Sequence, residues 1–352
     1  AEALYPVTED LVVEGLVMMT EVMNGMGITT AFDASAMEFD MDFVKRVLDR
    51  LAARGELTVR VFGAAATYSA EEVDLAVDRA EQWGEQVRGD GFHYNALKIF
   101  SDGTLEARTA AMFEDYQGNP GNAGHTVFSE DQLATMMTDA ASRGIDVHVH
   151  ALGERAIQEA LNAIDAARQA HPDSRTNYVL IHIEVIADQD IPRFADLGVF
   201  AQTSPLWFSY DEFGKQFVSD DQFQRYWPVR SLERKGARLA FGSDFPATGL
   251  GIAGMHPLLN IEIGHTRQIP GQPDSPVQPR ASERLSLESL VRGYTIGPAQ
   301  MLHMEDQIGS IEVGKKADLL VLDQDIFAID VYAIHKTRVL LTVMDGEIVH
   351  EL

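Results

Sequence analysis

The sequence predicts an α/β fold, specifically a (β/α)8 barrel of the TIM type. Short apolar runs alternate with segments of helical period, which is the pattern of a parallel sheet covered by helices. No glycine-rich dinucleotide loop follows the first run, and this favours a barrel over an open doubly wound sheet. Seven runs are predicted as strands, at residues 27–33, 57–64, 95–101, 145–151, 178–184, 198–204 and 237–244.

The predicted helices between these strands have recognisable ends. Ser69 with Glu72, and Ser129 with Gln132, have the spacing of a capping box, in which the serine oxygen accepts a backbone N–H at the helix start. The residue after a helix is often left-handed, which suits glycine. Four glycines stand directly between a predicted helix and the next strand, namely Gly55, Gly144, Gly198 and Gly236.

A closed barrel needs eight strands, and seven runs are found. A segment of helical period at residues 11–26 precedes the first run, so we expect the eighth strand to lie upstream of residue 1. Residues 1–305 are predicted as the barrel domain, with its last helix at 287–301. Residues 306–352 are rich in Val, Ile and Leu with turns at VGKK and MDGE, and we predict a small C-terminal β-sandwich segment there.

The composition excludes several classes of protein. Fifty-four acidic residues against 28 Lys and Arg give a formal charge of −26, which disfavours nucleic acid as a partner. The chain has no cysteine, so a metal must be held by His, carboxylate or a modified Lys. No apolar run is long enough to span a membrane and no signal peptide is recognised. We expect a cytoplasmic protein with a small-molecule substrate, and a homodimer is one possible assembly.

Polar residues stand where the predicted strands end. They are Lys98, His148, His150, His182 and Asp244, and catalytic groups of a barrel lie at the carboxyl ends of its strands. A single strand histidine is more often a hydrogen-bonded core residue than a ligand. A lysine inside a barrel is costly unless it pairs, shifts its pKa or reacts. Because such residues end four different strands, we predict a metal or catalytic site.

Several segments together resemble a known family. They are LKIFSDGTLEARTAA, VHALGERAI, LIHIE, FGSDFP and GPAQMLHMEDQIGSIEVGKKADLLVLD. Their sequence and order resemble the amidohydrolase superfamily, in the branch of amidohydrolase family 3 with YtcJ-like and N-substituted formamide deformylase-like enzymes. The resemblance extends from about residue 27 to the C-terminus. It implies a TIM-type metal-dependent hydrolase barrel beside a small β-sandwich.

The resemblance also implies roles for four residues. Lys98 matches the lysine that, carbamylated by CO2, bridges two metal ions. His150 and His182 match the strand-end histidines of one metal site, and Asp244 matches the aspartate that binds the other metal and moves the proton. Imidazole and oxygen ligands suit a divalent metal, with zinc as the first expectation and Mn or Fe as alternatives.

The implied chemistry is hydrolysis of a C–N bond in an amide, cyclic amide or N-acyl compound by a metal-activated hydroxide, with Asp244 as the proton carrier. Three further residues are predicted to contact the substrate, namely Arg108, His148 and Trp207. Two alternatives remain open. The same scaffold supports ester or lactone hydrolysis or deamination. The chain could also be a non-catalytic relic with an incomplete metal site.

One departure from the family pattern supports the relic alternative. The family has an HxH pair on its first strand, whereas the HxH of this sequence, His148-Val-His150, lies where the family has a single histidine. We therefore expect this chain alone to hold one weakly bound ion or none. Activity is expected only if the missing upstream segment is present.

Overall fold

A computed structural model describes residues 7–35 and 39–352 of the chain. Its central sheet contains all seven predicted strands in chain order, and each pairs in parallel with the next. A two-residue strand, β3, adds an antiparallel pair to β4. The strands are β1 (Thr30–Asp33), β2 (Arg60–Thr67), β3 (Arg88–Gly89), β4 (Phe92–Phe100), β5 (Asp146–Ala151), β6 (Tyr178–His182), β7 (Phe200–Thr203) and β8 (Arg238–Phe241).

Helices connect these strands and cover the outer face of the sheet. Within residues 7–35 and 39–352, β1 and β8 do not pair, so the sheet is a curled part of a barrel. This confirms the predicted α/β fold of the TIM-like type. The helices are α1 (Glu9–Gly25), α2 (Met41–Ala53), α3 (Val73–Gln86), α4 (Glu130–Arg143), α5 (Glu154–Ala170), α6 (Ile191–Asp196), α7 (Asp220–Gln224), α8 (Val229–Arg234), α9 (Pro257–Thr266), α10 (Leu287–Tyr294) and α11 (Ile296–Met301).

No helix in the described part of the chain is long and apolar enough to cross a membrane.

One of the two predicted capping boxes forms. At the start of α4, the Ser129 hydroxyl accepts the N–H of Gln132, whose side chain accepts the N–H of Ser129. The prediction for Ser69 is wrong, because its side chain caps no N–H and the carboxylate of Glu72 accepts the N–H of Tyr68 instead. The glycine prediction is confirmed, since positive φ angles occur at Gly55, Gly144, Gly198 and Gly236.

The predicted helix at 287–301 is two helices, because the chain breaks at Thr295 (φ −125°, ψ −90°). The break lets α11 pack closely on β8. A Cβ atom at Gly297 would lie 2.2 Å from the carbonyl oxygen of Leu239, so only glycine fits this contact. The break at Thr295 and the missing side chain at Gly297 together allow α11 to pack against the sheet.

A small apolar cluster packs separately from the main core that lies under the helices. Asn177, at the amino end of β6, donates to the carbonyl oxygens of Gln300 and Met301 and holds the end of α11 beside this cluster. The chain around Met301 thus covers the amino ends of the strands. The cluster is formed by Val179, Ile181, Phe200, Ala240 and Met301.

The C-terminal residues form a separate antiparallel sheet of three strands in the order β11-β10-β9. This sheet is the small β structure predicted after residue 305, although the domain boundary itself stays a prediction. The two terminal guanidinium nitrogens of Arg60, on β2, donate to the carboxylate of Asp318 and join β2 to the residue that precedes β9. The strands are β9 (Leu319–Leu322), β10 (Val339–Met344) and β11 (Glu347–Glu351).

Candidate functional site

Strand register brings three of the predicted site residues onto one face of the sheet. Lys98 of β4 is paired with His148 of β5, and Phe100 is paired with His150. Paired residues of neighbouring parallel strands point to the same face, and alternate residues of a strand share a face. Lys98, His148 and His150 therefore lie together on the inner face, whereas Val149 faces the helices.

His182 reaches this group through an unusual backbone. Its register partner is Ala151, so strand alternation alone would direct His182 toward the helices. Instead β6 ends there, and both His182 (φ 74°) and Ile183 (φ 46°) are left-handed. This conformation is costly for a β-branched residue such as Ile183. The chain turns, and the ring of His182 meets the ring of His150 with 4.5 Å between centroids.

His150 is oriented by a backbone carbonyl. Its Nε2 atom lies 3.2 Å from the carbonyl oxygen of Gly103. A carbonyl only accepts hydrogen bonds, so this contact assigns the proton to Nε2 and leaves the lone pair of Nδ1 free. Fixing one ring nitrogen in this way orients the other for a ligand.

Asp102 supports the same histidine and ties two loops together. Its buried carboxylate accepts the backbone N–H groups of Ala111, Leu152 and Gly153 at 3.0–3.1 Å, and lies 3.7 Å from Nε2 of His150. Burial raises the pKa of Asp102 to about 7, although the three N–H groups act in the opposite direction. Sequence analysis quoted this residue within LKIFSDG but gave it no role. Its position directly after a strand was the available signal.

Replacing Asp102 by asparagine is expected to destabilise the fold by about 1–3 kcal/mol, because an amide has one acceptor oxygen and leaves at least one buried N–H without a partner. Urea unfolding monitored by circular dichroism measures this loss. The matched control is Asp274→Asn in an exposed loop, which should change stability little. Equal stabilities of the two variants would contradict this role of Asp102.

Burial sets the charge state of the inner face. Lys98 is 2% exposed, and burial lowers its pKa to about 7, while the charge of Asp244 raises it. Burial and the charge of Lys98 lower the pKa of His148 and of His150 to about 3. Burial and the charges of His150 and Lys98 hold the pKa of His182 well below its usual range. The three imidazoles are therefore neutral at pH 7, as metal ligands must be.

Asp244 lies beyond the end of β8, in a left-handed conformation (φ 55°). Its side chain is accessible to solvent at the mouth of the sheet, where partial burial raises its pKa and the charge of Lys98 lowers it. The carboxylate thus lies near enough to Lys98 for the charge of each group to shift the pKa of the other.

The three residues predicted to contact the substrate differ in their distance from the histidines and in their exposure. Trp207, in a single-turn helix after β7, has its ring centroid 5.8 Å from that of His182, so it forms a wall of the site. The ring of His148 is buried and stacked on Phe32 at 4.2 Å, so its face is already covered. The guanidinium of Arg108 lies over a phenylalanine ring of a neighbouring loop at 5.3 Å. In the described ranges no ion pair or ring contact joins Arg108 to the histidines.

A second buried acid lies close to this site. Glu184 follows His182 by two residues and is buried. Burial and the charges of Glu106, Asp211 and Asp102 raise the pKa of Glu184 well above its usual range. Its surroundings therefore favour the protonated form of the carboxyl. The motif LIHIE contains this residue, but sequence analysis gave it no role.

The donor set fits a divalent metal in part. Within residues 7–35 and 39–352, no group of three or more His, Asp or Glu side chains is arranged to hold an ion. His150 and His182 supply two adjoining neutral imidazoles, and the buried amine of Lys98 shares their face. A carbamate on Lys98 would add the oxygen donors that such a pair of imidazoles lacks.

Comparisons with known proteins agree on one family. The model of the Amidohydrolase family matches residues 17–350. YtcJ of Bacillus subtilis (strain 168), named as an amidohydrolase, is 33% identical over 278 residues, which are 78% of this chain and 50% of that protein. The N-substituted formamide deformylase of Arthrobacter pascens is 28% identical over 258 residues, which are 73% of this chain and 45% of the enzyme. The chain thus spans about half the length of these relatives.

A solved structure shares the fold. The crystal structure of an uncharacterised metal-dependent hydrolase from Pyrococcus furiosus superposes with a TM-score of 0.71 at 23% identity, and the match covers 90% of this chain and 60% of that chain.

Proposed function

Because the chain belongs to the amidohydrolase family, we propose that it acts as a metal-dependent hydrolase on the C–N bond of an amide, cyclic amide or N-acyl compound. The resemblance drawn from the motifs is thereby confirmed at the level of the family. The main support for the proposed reaction is the contact between the rings of His150 and His182, on the face of the sheet that also holds the buried Lys98.

These three residues are the proposed metal ligands. Lys98, with its pKa near 7, presents a fraction of neutral amine that can add to CO2, releasing a proton and forming a carbamate. Neutral imidazoles and carbamate oxygens suit zinc first and Mn or Fe as alternatives. A divalent ion held there would supply a hydroxide near neutral pH.

Asp244 and Trp207 complete the proposed site. A carboxylate at the mouth, with a pKa raised by partial burial, is suited to accept a proton and to pass it to a leaving nitrogen. The ring of Trp207 beside His182 forms an apolar wall against which the acyl part of a substrate packs.

A substrate panel tests the reaction class. The protein, together with any residues that precede residue 1, is loaded with zinc, manganese or iron and assayed with N-formylamines, N-acyl amino acids and cyclic amides beside matched esters, lactones and aminopurines. We expect release of amine or ring-opened acid from the C–N substrates only. His150→Asn is expected to abolish turnover at unchanged far-UV circular dichroism.

Three results would contradict the proposal. Turnover confined to esters or lactones would favour the alternative hydrolase, and turnover confined to aminopurines would favour a deaminase. Metal binding without turnover of any substrate would favour the relic.

A further inference from the structure

A cavity lies on the outer flank of the fold, away from the inner face of the sheet. Its volume is about 330 Å³, and it lies between α8, the end of α9 and the start of α10. Three arginines and two serines line it, together with His265. None of the proposed metal ligands is among its lining residues. The arginines are Arg230, Arg234 and Arg284, and the serines are Ser282 and Ser286.

The positive charge of this cavity is not neutralised by its own acids. Arg230 pairs with Glu233 of the same helix. Glu283 is buried, and its carboxylate accepts the N–H and the hydroxyl of Ser231. Within residues 7–35 and 39–352, neither Arg234 nor Arg284 forms an ion pair with a carboxylate. Two guanidinium groups thus face the cavity unmatched in a chain whose formal charge is −26.

Arg284 is held in place before any ligand arrives. Its Nε donates to the carbonyl oxygen of Thr266 at 2.7 Å, and its Nη2 donates to the side chain of Gln268 at 3.1 Å. These bonds use one edge of the guanidinium and leave further N–H groups free. The guanidinium of Arg284 is therefore fixed at the edge of the cavity by neutral partners, with no acid bound to it in the described part of the chain.

We propose that this cavity is a binding site for a phosphate-bearing small molecule. Guanidinium groups bind phosphate oxygens through paired hydrogen bonds, and the serine hydroxyls at the rim add neutral donors. The volume exceeds that of a single phosphate and lies at the lower end of the range for small-molecule pockets. The phosphate comes either from inorganic phosphate or from a phosphate monoester. This site is independent of the proposed hydrolase activity.

Isothermal titration of the full chain with inorganic phosphate and with glycerol phosphate tests the proposal, at an ionic strength held constant with KCl. We expect saturable binding to one site. In the variant Arg234→Met with Arg284→Met, the affinity is expected to fall by about ten-fold or more, as for the loss of at least one charge-assisted pair. Tighter binding of glycerol phosphate identifies a monoester as the ligand, and equal affinity identifies phosphate alone.

Two further variants keep this test decisive. Arg54→Met with Arg88→Met removes two arginines elsewhere on the surface, so its affinity should equal that of the parent. Arg234→Met alone removes no hydrogen bond of the described structure and should still weaken binding. Non-saturable binding, or equal affinity in the parent and the double cavity variant, would overturn the proposal.

Discussion

Replacing Lys98 by methionine is expected to abolish metal binding and C–N hydrolysis while making the metal-free protein more stable. The first effect follows because methionine cannot form a carbamate, so the proposed site keeps only its two imidazoles. The second effect follows because an unpaired buried ammonium is costly, whereas methionine has a similar shape and no charge. Loss of function together with a gain in stability is the signature of a residue kept for chemistry.

The gain in stability should depend on pH. The pKa of Lys98 is lowered from 10.5 to about 7 in the folded protein. The unfolded chain therefore holds this proton more tightly between these values, and the free energy of unfolding of the parent rises with pH across that window. The variant lacks this dependence. Its advantage should reach a few kcal/mol below pH 7 and vanish by about pH 10.5.

Metal analysis and urea unfolding at pH 6 and pH 10 check both effects, with unfolding measured after chelation. Lys45→Met on the surface of α2 is the control, and it should keep the metal and the activity of the parent. A Lys98→Met protein that retains its metal and its turnover would refute the proposed role.

Replacing Arg267 by methionine is expected to cost about 3–5 kcal/mol, because several buried carbonyl oxygens would lose their donor at about 1–3 kcal/mol each. Arg267 is 0% exposed, and its guanidinium donates to the carbonyl oxygens of Trp227, Tyr226, Pro279 and Gln278. Methionine would fill the space but leave these acceptors unpaired. The segment after α7 and the loop before α10 would then lose their common anchor.

Equilibrium unfolding in urea measures this cost. Arg267→Lys should be intermediate, because an ammonium keeps the charge but cannot reach all four carbonyls. Arg46→Met is the control, since that arginine is exposed and pairs with Glu9 on α1 at the surface. A loss below about 1 kcal/mol for Arg267→Met, within the range of ordinary surface substitutions, would contradict the anchoring role.

Sequence periodicity predicted the strands well and the orientation of their last residues less well. Alternation along β5 correctly groups His148 with His150, because both lie inside a regular strand. His182 breaks the rule, since a left-handed turn at the strand end reverses its direction. His182 was predicted as a ligand because the motif LIHIE resembles the family. Strand periodicity alone would have placed its side chain among the helices.

Other features depend on distant parts of the chain and had no local signal. The stacking of Phe32 on His148 joins β1 to β5, and the flank cavity joins α8 to residues near 284 and 332. The break at Thr295 goes together with the close approach of Gly297 to β8, which is a tertiary contact. The helical period of a sequence describes one helix by itself and gives no information about which elements pack against that helix.

The exposed strand β9 affects the tendency of the protein molecules to associate with one another. Leu320 and Val321 are each 47% exposed, and in the described part of the chain β9 has a partner on one side only. Such an edge favours adhesion between molecules, whereas a charge of −26 on each molecule opposes it. Salt screens the repulsion over about 8 Å at physiological strength, and sulfate also strengthens apolar contact. The protein should therefore stay dispersed in dilute buffer and associate as salt is added.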